Sequence, residues 1–377
     1  MRVLCVGGGP AGLYLALLLK KADPRHEITV VERNRPYDTF GWGVVFSDQT
    51  LGNLREADAE SHAAIENAFW HWDDIDVHFK GRTITSSGHG FCGIGRKRLL
   101  NILQGRAREL GVRIAFETEA EPVDTYKNDY DLVVGADGVN SIVRRARERE
   151  FAPHVRWLTN KFVWYGTAQR FDCLTLTYRE NADGAFVAHH YRYAPHMSTF
   201  IVECDAGTWR RAGFERMSDA QSRAYCERVF AADLGGKPLM SNRSIWRQFP
   251  LLSCRGWSAG NAVLIGDALH TVHFSIGSGT RLAFEDAIAL ERAFAEAGED
   301  VPAALAAFER ARRPVAEKLL HAASLSSFWY EDFPSRLALE PWQLAYDYMM
   351  RSGRMTEARL RETAPEFMAR VAAARKA

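Results

Sequence analysis

Apolar positions in the first part of the chain fall in short runs that alternate with longer helical patterns. Runs rich in apolar residues cover 3–6, 28–31 and 132–134, and an apolar helical pattern covers 13–21. Strands of a parallel sheet are buried on both faces and read as near-continuous apolar runs with helices between them. The pattern therefore predicts a parallel sheet of the dinucleotide-binding kind. Residues 70–86 depart from it and read as irregular strand material.

From residue 161 onwards the apolar positions recur at every second residue. This alternation is typical of strands in an antiparallel sheet, which bury one face. It covers the segments 162–170, 174–178, 185–193 and 199–204.

Helical patterns dominate the rest of the chain, although a short apolar strand near residue 263 returns to the first sheet. Pro334 and Pro341 are expected to interrupt the last patterns, because proline cannot continue a helix. The predicted helices cover 218–234, 280–297, 302–330 and 341–372.

These elements predict an α/β chain in which an antiparallel domain is inserted into a nucleotide-binding domain. The nucleotide-binding domain is expected over 1–160, with some strand of the inserted domain near 70–90, and again over 251–330. The inserted, mainly antiparallel substrate domain is expected over 161–250, and a helical C-terminal segment over 331–377. Both domains would flank one cleft.

A glycine fingerprint follows the first strand. Gly7 allows a tight turn, Gly9 lets the backbone approach a diphosphate, and Gly12 lets the helix pack on the strand. The N-terminus of that helix offers free N–H groups to phosphates. Glu32 lies 20 residues beyond Gly12, at the end of the second strand, where a carboxylate accepts hydrogen bonds from ribose hydroxyls. The sequence therefore predicts a dinucleotide site.

Two further strand-to-loop motifs carry an aspartate. In the first, Asp137 stands between glycines and Ser141 is placed to cap the next helix. In the second, Asp267 follows a glycine after the strand near residue 263, and a loop with Gly277 and Gly279 comes next. Three such motifs indicate one long cofactor that is contacted at several points. FAD is long enough, whereas NAD would need only the first motif.

Bulk composition adds constraints on the class of protein. The chain has 377 residues, 47% hydrophobic residues and a net charge of +1, which gives no indication of a nucleic-acid partner. Its six cysteines form no Cys-x-x-Cys pair, which argues against a disulfide reductase. With no secretory leader or bilayer-spanning run, we expect reduced thiols, a cytoplasmic location and no membrane association.

The three motifs, in this order, resemble those of the class A flavoprotein aromatic hydroxylases, such as 4-hydroxybenzoate hydroxylase. The family usually has two prolines after the third motif, where this chain has His273 and Phe274. That variant, together with segments 40–47 and 93–100, is similar to salicylyl-CoA 5-hydroxylases and to the monooxygenase part of 2-aminobenzoyl-CoA monooxygenases. Segments 164–167 and 197–204 also resemble the tryptophan-derivative hydroxylase of violacein synthesis.

The resemblance implies a Rossmann-like FAD domain with an inserted substrate sheet, and it implies an activity. In such enzymes NADH or NADPH binds transiently and reduces FAD. Dioxygen is then trapped as a flavin C4a-hydroperoxide, and one oxygen atom is transferred to an aromatic ring. The substrate implied first is a CoA-activated aromatic acid, with salicylyl-CoA giving gentisyl-CoA. The implied cofactor contacts are Gly7, Gly9, Pro10, Ala11, Gly12, Glu32, Arg33, Arg96, Asp137, Asp267, Gly277, Ser278, Gly279 and Thr280.

Some of these assignments have ordinary alternatives. Arg96 could be a solvated helix charge beside its basic neighbours, and the Asp-Gly at Asp137 could be a simple turn. The arginines of the inserted domain could hold the CoA arm or could be solvated surface charges. They are Arg170, Arg179, Arg192, Arg210 and Arg211.

A catalytic group that accepts or shares the proton of the substrate's ring donor is expected beside the flavin. His273 is the first candidate because it replaces a loop proline, and His189, Tyr165 and Glu203 are others. Each could instead have a packing role. No metal site is predicted, because the adjacent His189 and His190 would point to opposite faces of a strand.

Three alternatives remain open at the level of the sequence. The chain could hydroxylate an indole or another free aromatic compound, it could be a non-oxygenating flavin reductase, or it could be a flavin-binding partner without catalysis. A monomer and a homodimer are equally compatible with the sequence.

Overall fold

The computed structural model describes residues 1–36, 38–39, 41–126 and 129–374. Phe40, which belongs to one of the family-like segments, and the last three residues of the predicted C-terminal segment lie outside these ranges. In chain order the strands are β1 (Arg2–Val6), β2 (Glu27–Val31), β3 (Gly43–Ser47), β4 (Trp70–Trp72), β5 (Ile75–Phe79), β6 (Arg82–Ser86), β7 (Phe91–Gly95), β8 (Arg113–Ala115), β9 (Leu132–Gly135), β10 (Pro153–Trp157), β11 (Lys161–Thr167), β12 (Leu174–Asn181), β13 (Gly184–Ala194), β14 (Met197–Cys204), β15 (Leu239–Met240), β16 (Pro250–Cys254), β17 (Ser258–Ala259) and β18 (Ala262–Leu264).

Helices connect and cover these strands. They are α1 (Pro10–Ala22), α2 (Asp48–Ala57), α3 (Ala59–Glu66), α4 (Arg96–Glu109), α5 (Ile142–Ala146), α6 (Glu148–Phe151), α7 (Ala206–Arg211), α8 (Asp219–Val229), α9 (Ala231–Leu234), α10 (Gly279–Ala297), α11 (Val301–Glu331), α12 (Phe333–Arg336), α13 (Pro341–Met350), α14 (Glu357–Thr363) and α15 (Pro365–Ala374). Within the described ranges, no helix is long and apolar enough to cross a membrane.

The first sheet has the order β17-β18-β9-β1-β2-β8 and is parallel except for the β17–β18 hairpin. Helix α1 follows β1 and is buried without interruption from Ala11 to Leu19. A helix that is apolar on all sides must be enclosed, and α1 contacts both α4 and α10. The predicted fold class, a Rossmann-like sheet with an additional, mainly antiparallel sheet and a helical C-terminus, is confirmed.

The second large sheet, which we call the roof sheet, has the order β15-β11-β14-β13-β12-β5-β6. Its neighbours are antiparallel except for β5 and β12. Residues 70–86, expected to be irregular, form β4 and the β5–β6 hairpin, which turns at Lys80 and Gly81 with positive φ at both. The roof sheet thus combines strands from two distant parts of the chain, and the domain boundaries at 160 and 250 stay a prediction.

Alternation along β13 shows how the roof sheet is covered on both faces. Phe186 and Ala188 belong to an apolar cluster with helices α7 and α8, whereas Ala185 and Val187 belong to a cluster with α11 and α13. The remaining two strand groups are small, with orders β3-β7-β4 and β10-β16.

Two of the predicted helices are interrupted. The pattern over 218–234 forms α8 and α9, which are separated at Phe230, and the pattern over 341–372 forms α13, α14 and α15. Gly353 has a φ of 66°, a conformation that ends a helix, and Pro365 begins α15 because proline is favoured in a first helical turn.

A buried ionic cluster joins α10 to α11 and to the loop after β18. Asp286 accepts hydrogen bonds from Arg312 Nε at 2.8 Å and from the Gly266 backbone N–H at 3.0 Å, and it lies 2.7 Å from His270 Nε2. Burial alone would raise the pKa of Asp286, but His270 and Arg312 outweigh it and lower the pKa. The charged carboxylate is therefore stabilised by its partners, although it is fully buried.

We expect Arg312→Met to reduce the free energy of unfolding by about 3–5 kcal/mol, because it removes one partner of a buried charge. Arg313→Met is a matched control on the same helix, since Arg313 is more exposed and pairs with Glu309 and Glu317. Its cost should stay below about 1 kcal/mol. Urea unfolding measures both variants, and equal losses would contradict a special contribution of the buried cluster.

Candidate active site

The three glycine-containing motifs lie side by side at one edge of the parallel sheet. Strand β9 pairs with β1 and with β18, so that their carboxyl ends are adjacent. Gly7 has a φ of 109°, and a Cβ there would lie 2.4 Å from the carbonyl oxygen of Ala136. The backbones of the first two motifs are therefore in direct contact.

Gly9 leaves the start of α1 open. No side chain caps this helix, and a Cβ built on Gly9 would have no atom within 4 Å. A Cβ on Gly12, in contrast, would lie 2.1 Å from the Gly7 carbonyl oxygen. Gly9 faces open space, whereas Gly12 is needed for packing. Free N–H groups at a helix N-terminus fit a diphosphate group.

Glu32 is held in place by backbone donors. Its Oε2 accepts from the Gly8 N–H at 2.8 Å, and its Oε1 accepts from the backbone and side-chain nitrogens of Asn34 at 2.8 and 2.6 Å. A carboxylate has about four acceptor sites. Glu32 can therefore accept a ribose hydroxyl while it also fixes the turn.

Arg96 and Asp267 lie in the same region, and the charge of each one influences the pKa of the other. The Asp267 carboxylate is exposed to the cavity but enclosed by protein, and this burial raises its pKa while Arg96 opposes the shift. Burial lowers the pKa of Arg96, whose Nε is buried and has no hydrogen-bond partner in the described part of the chain. An unpaired buried donor of this kind fits a polar cofactor atom.

Asp137 has one free oxygen. Its Oδ2 accepts from the Ile142 N–H at 2.7 Å, whereas its Oδ1 is buried without a partner among the described residues. Burial raises the pKa of this carboxyl. Ser141 caps α5 through a hydrogen bond from the Arg144 N–H, as predicted.

The loop before α10 presents backbone rather than side chains. Gly277 has a φ of 61°, and a Cβ there would meet Val45 Cγ1 at 2.5 Å. The Ser278 hydroxyl donates to the Ile276 carbonyl oxygen and does not cap α10. The first N–H groups of this 19-residue helix are therefore free to stabilise negative charge, which suits the pyrimidine edge of a reduced flavin.

These groups line one cavity of about 1210 Å³. Of the predicted cofactor contacts only Gly12 does not line it. The others in the wall are Gly7, Gly9, Pro10, Ala11, Glu32, Arg33, Arg96, Asp137, Asp267, Gly277, Ser278, Gly279 and Thr280. The open backbone at Gly9 and the unpaired atoms of Arg96 and Asp137 show that the residues present fit FAD.

The other wall of the cavity comes from the roof sheet and is largely aromatic. It includes Trp164, Tyr191 and Ile201. A Cβ on Gly41 would lie 2.6 Å from the Trp164 ring, and a Cβ on Gly43 would lie 2.5 Å from Tyr193. The glycines of the 40–47 segment thus let this loop approach the roof sheet closely. Sequence alone did not indicate this packing reason.

His189 lies in the cavity wall. Its ring packs 4.7 Å from that of Tyr330, and its Nε2 is 3.8 Å from Glu203 Oε2. Neither atom has a hydrogen-bond partner in the described structure. Burial and the charge of Arg351 lower the pKa of His189 to about 3, and burial raises the pKa of Glu203. This contact is therefore not an ion pair at neutral pH.

His273 and Tyr165, the other predicted catalytic residues, do not line the cavity. His273 Nδ1 accepts from the Ser275 N–H at 3.4 Å, and its ring packs against Phe249. Burial lowers its pKa to about 4. Tyr165 lies on the other face of the roof sheet, where its hydroxyl is 3.0 Å from Ser222 Oγ. Their catalytic roles stay predictions that this placement does not support.

The arginines that line the cavity are not those of the inserted domain. Arg179 pairs with Asp233, Arg192 stacks on Trp70, and Arg211 donates to the Asp183 carbonyl oxygen. None of the five arginines suggested for a CoA arm is in the wall. Besides Arg33, Arg96 and Arg145, the wall contains Arg281, Arg351, Arg354 and Arg359, the last three of which belong to the C-terminal helical region. The sequence shows that Arg351, Arg354 and Arg359 are close together in the chain, but it does not show that they line the cavity.

We expect Gly9→Val to abolish FAD binding while the apoprotein stays about as stable as the parent, because a Cβ at this position has no atom within 4 Å. Gly12→Ala should lower the stability of the apoprotein itself, since its Cβ collides with the Gly7 carbonyl oxygen. Flavin content after purification and thermal unfolding of the apoprotein separate the two effects. Full flavin content in Gly9→Val would contradict the assignment of Gly9 to the cofactor.

Comparisons with known proteins agree with this site. The FAD binding domain family model matches residues 1–323. Salicyloyl-CoA 5-hydroxylase of a Streptomyces species is 43% identical over 93% of this chain and 70% of its own length. The 3-hydroxy-4-methyl-anthranilyl-[aryl-carrier protein] 5-monooxygenase of Streptosporangium sibiricum is 39% identical over 89% of this chain and 90% of its own. Protodeoxyviolaceinate monooxygenase of Chromobacterium violaceum is 37% identical over 93% and 94%.

Among solved structures, 2-methyl-3-hydroxypyridine-5-carboxylic acid oxygenase has a TM-score of 0.73 at 20% identity, with 96% of both chains covered. That likeness concerns the fold. The relatives above are named hydroxylases or monooxygenases, so the reductase and non-catalytic alternatives are set aside. The chain belongs to the FAD-binding family and is a flavin-dependent aromatic monooxygenase.

Proposed function

We propose that this enzyme hydroxylates a CoA-activated aromatic acid, with salicyloyl-CoA as the first candidate and gentisyl-CoA as its product, and that NADH or NADPH supplies the electrons. The main observation in support is the continuous cavity. It joins the cofactor-fitting loop 277–280, the aromatic wall around Trp164 and the arginines of the C-terminal region. The 43% identity to salicyloyl-CoA 5-hydroxylase supports the same substrate class.

The aromatic wall would position the ring and exclude water. Bound FAD supplies the activation of dioxygen and the transfer of one oxygen atom to the ring. Trp164, Tyr191 and Ile201 offer apolar surface to the ring. Excluding water from such a site protects a reactive oxygen species from being lost as peroxide. At this wall the protein thus orients the substrate ring and keeps water out of the site.

His189 would bind the hydroxyl group of the substrate ring. A neutral imidazole has one donor and one acceptor nitrogen, and His189 is neutral because burial lowers its pKa to about 3. Its acceptor nitrogen can share the proton of a phenol, which increases the electron density of the ring for attack by an electrophilic oxygen. Glu203 would act behind His189 as a positioning residue. Its Oε2 lies 3.8 Å from His189 Nε2, and its Oε1 is fixed by a hydrogen bond of 2.9 Å from Asn160 Nδ2.

His273 would act through the loop rather than on the substrate. Its neighbour Phe274 lines the cavity, and the hydrogen bond from the Ser275 N–H to His273 Nδ1 fixes the turn that carries Phe274. This makes His273 a positioning residue in the proposal.

A second candidate function is the hydroxylation of a free aromatic compound related to indole. The 37% identity to protodeoxyviolaceinate monooxygenase over nearly the whole chain favours it. The aromatic wall would accept either ring, so the presence of a thioester arm on the substrate is the property that separates the two functions.

We expect salicyloyl-CoA to stimulate NADH oxidation and product formation with a kcat/KM at least about tenfold above that of salicylate, because the arm supplies binding energy remote from the ring. Oxygen consumption, NADH oxidation and product would be measured together for thioesters, free acids and indole derivatives. Equal kcat/KM for acid and thioester, or turnover of indoles alone, would refute the proposed substrate class.

We expect His189→Asn to lower hydroxylation by about ten- to a hundredfold and to raise peroxide release per NADH, since losing the hydrogen-bond partner of a buried hydroxyl costs about 1–3 kcal/mol. Tyr165→Phe is the comparison, because its hydroxyl contacts Ser222 on the opposite face of the sheet. Unchanged coupling in His189→Asn, or a loss in Tyr165→Phe of the same size, would contradict the role assigned to His189.

A further inference from the structure

Seven arginines of the described ranges line the cavity, and the charges of two of them, Arg281 and Arg359, act on a third, Arg354. Arg281 lies in the first turn of α10, Arg354 in the turn after α13, and Arg359 in α14. The pKa of Arg354 is lowered by burial and by the positive charges of Arg281 and Arg359, with Glu285 opposing the shift. Elements from distant parts of the chain thus bring like charges together at the cavity.

The nearby carboxylate of Glu285 compensates this charge only in part. Glu285 is 2.7 Å from Arg281 Nε, but it also lies 3.0 Å from Arg312 Nη1 and is shared between them. In the described part of the chain, the guanidinium groups of Arg354 and Arg359 have no ion pair and no hydrogen bond. Both side chains are exposed at the cavity. Uncompensated like charges of this kind attract an anion.

Arg351, which lies in the same wall, has a structural role instead. Its Nη2 donates to the Ser275 carbonyl oxygen at 2.7 Å and its Nε donates to the Ser326 hydroxyl at 3.1 Å. It therefore anchors the C-terminal helices to the cavity loop. Among the residues that the structure describes, the guanidinium groups of Arg354 and Arg359 have no such hydrogen-bond partner, so both can bind a ligand.

The cavity is continuous between the aromatic wall and the arginines. Its lining extends from His189 and Trp164 to Arg354 and Arg359, so that one long ligand can contact both ends. A guanidinium group recognises phosphate through paired N–H donors, which makes arginine suitable for a diphosphate.

We propose that Arg354 and Arg359, assisted by Arg281, form a subsite for the phosphate groups of the substrate's thioester arm. This inference rests on the proposed function, because it assumes that the ring enters as a thioester with a phosphate-bearing arm. The ring would occupy the aromatic wall while the arm leaves the cavity between α13 and α14. Binding energy from the arm would then orient a ring that has few polar groups of its own.

The test uses the FAD-loaded enzyme and the variants Arg354→Gln, Arg359→Gln and their double combination. Arg361→Gln is the control, because Arg361 lies on the same helix, pairs with Glu357 at 2.5 Å and does not line the cavity. The measurements are KM and kcat for salicyloyl-CoA, the inhibition constant of CoA, KM for NADH, and KM for a salicyloyl thioester truncated to the end of the pantetheine arm without phosphate.

We expect each single variant to raise KM for salicyloyl-CoA and the inhibition constant of CoA about tenfold, which corresponds to about 1.4 kcal/mol. The truncated thioester and NADH should keep their KM values, and Arg361→Gln should match the parent. Higher salt should weaken CoA inhibition of the parent more than that of the double variant, because these charges are exposed to solvent.

Two results would overturn the subsite while leaving the proposed function intact. The first is a double variant that keeps the parent's KM for salicyloyl-CoA. The second is a rise in KM for NADH alone, which would assign the arginines to the nicotinamide nucleotide. A parent enzyme that shows no preference for the thioester over the free acid would instead overturn the proposed function, and the subsite with it.

Discussion

The site depends on the close contact of backbones at the carboxyl ends of β1, β9 and β18. Gly7 can approach the Ala136 carbonyl oxygen only because it has no side chain, and the same lack of a side chain allows its positive φ. The loop after β18 is held by a hydrogen bond, which the Gly266 N–H donates to the buried carboxylate of Asp286. Sterics and one buried charge together place three loops around a single elongated space.

The roof sheet completes this space because both of its faces are covered. Successive residues of β13 point to opposite sides. His189 and Tyr191 therefore face the cavity, while His190 packs against Phe171 and Phe200 on the other side. A strand of this kind is buried along nearly its whole length, yet only half of its side chains can ever meet a ligand.

The sequence predicted the placement of most cofactor-facing residues, but that of the substrate-facing residues only in part, since His189 lines the cavity whereas Tyr165 and His273 do not. Residues such as Gly9 and Glu32 sit at fixed offsets from a strand and a helix, so local pattern and chain order suffice to place them. Tyr165 and His273 were chosen by position along the chain, but the face of a strand and the direction of a loop side chain are decided by tertiary packing. The helical pattern over 341–372 forms three separate helices, and nothing local shows that Arg354, between the first two, turns back towards residue 281.

The anchoring of the C-terminal helices by Arg351 has a consequence for how such an enzyme diversifies. The residues that fit the cofactor lie within the part of the chain that the family shares, whereas Arg354 and Arg359 lie beyond it. Buried side chains of this tail, such as Leu360 and Phe367, belong to the apolar cluster that covers the roof sheet and cannot be exchanged freely. Changes confined to exposed positions, such as Arg354 and Arg359, can therefore alter what the cavity entrance binds while the strand ends and the core stay unchanged.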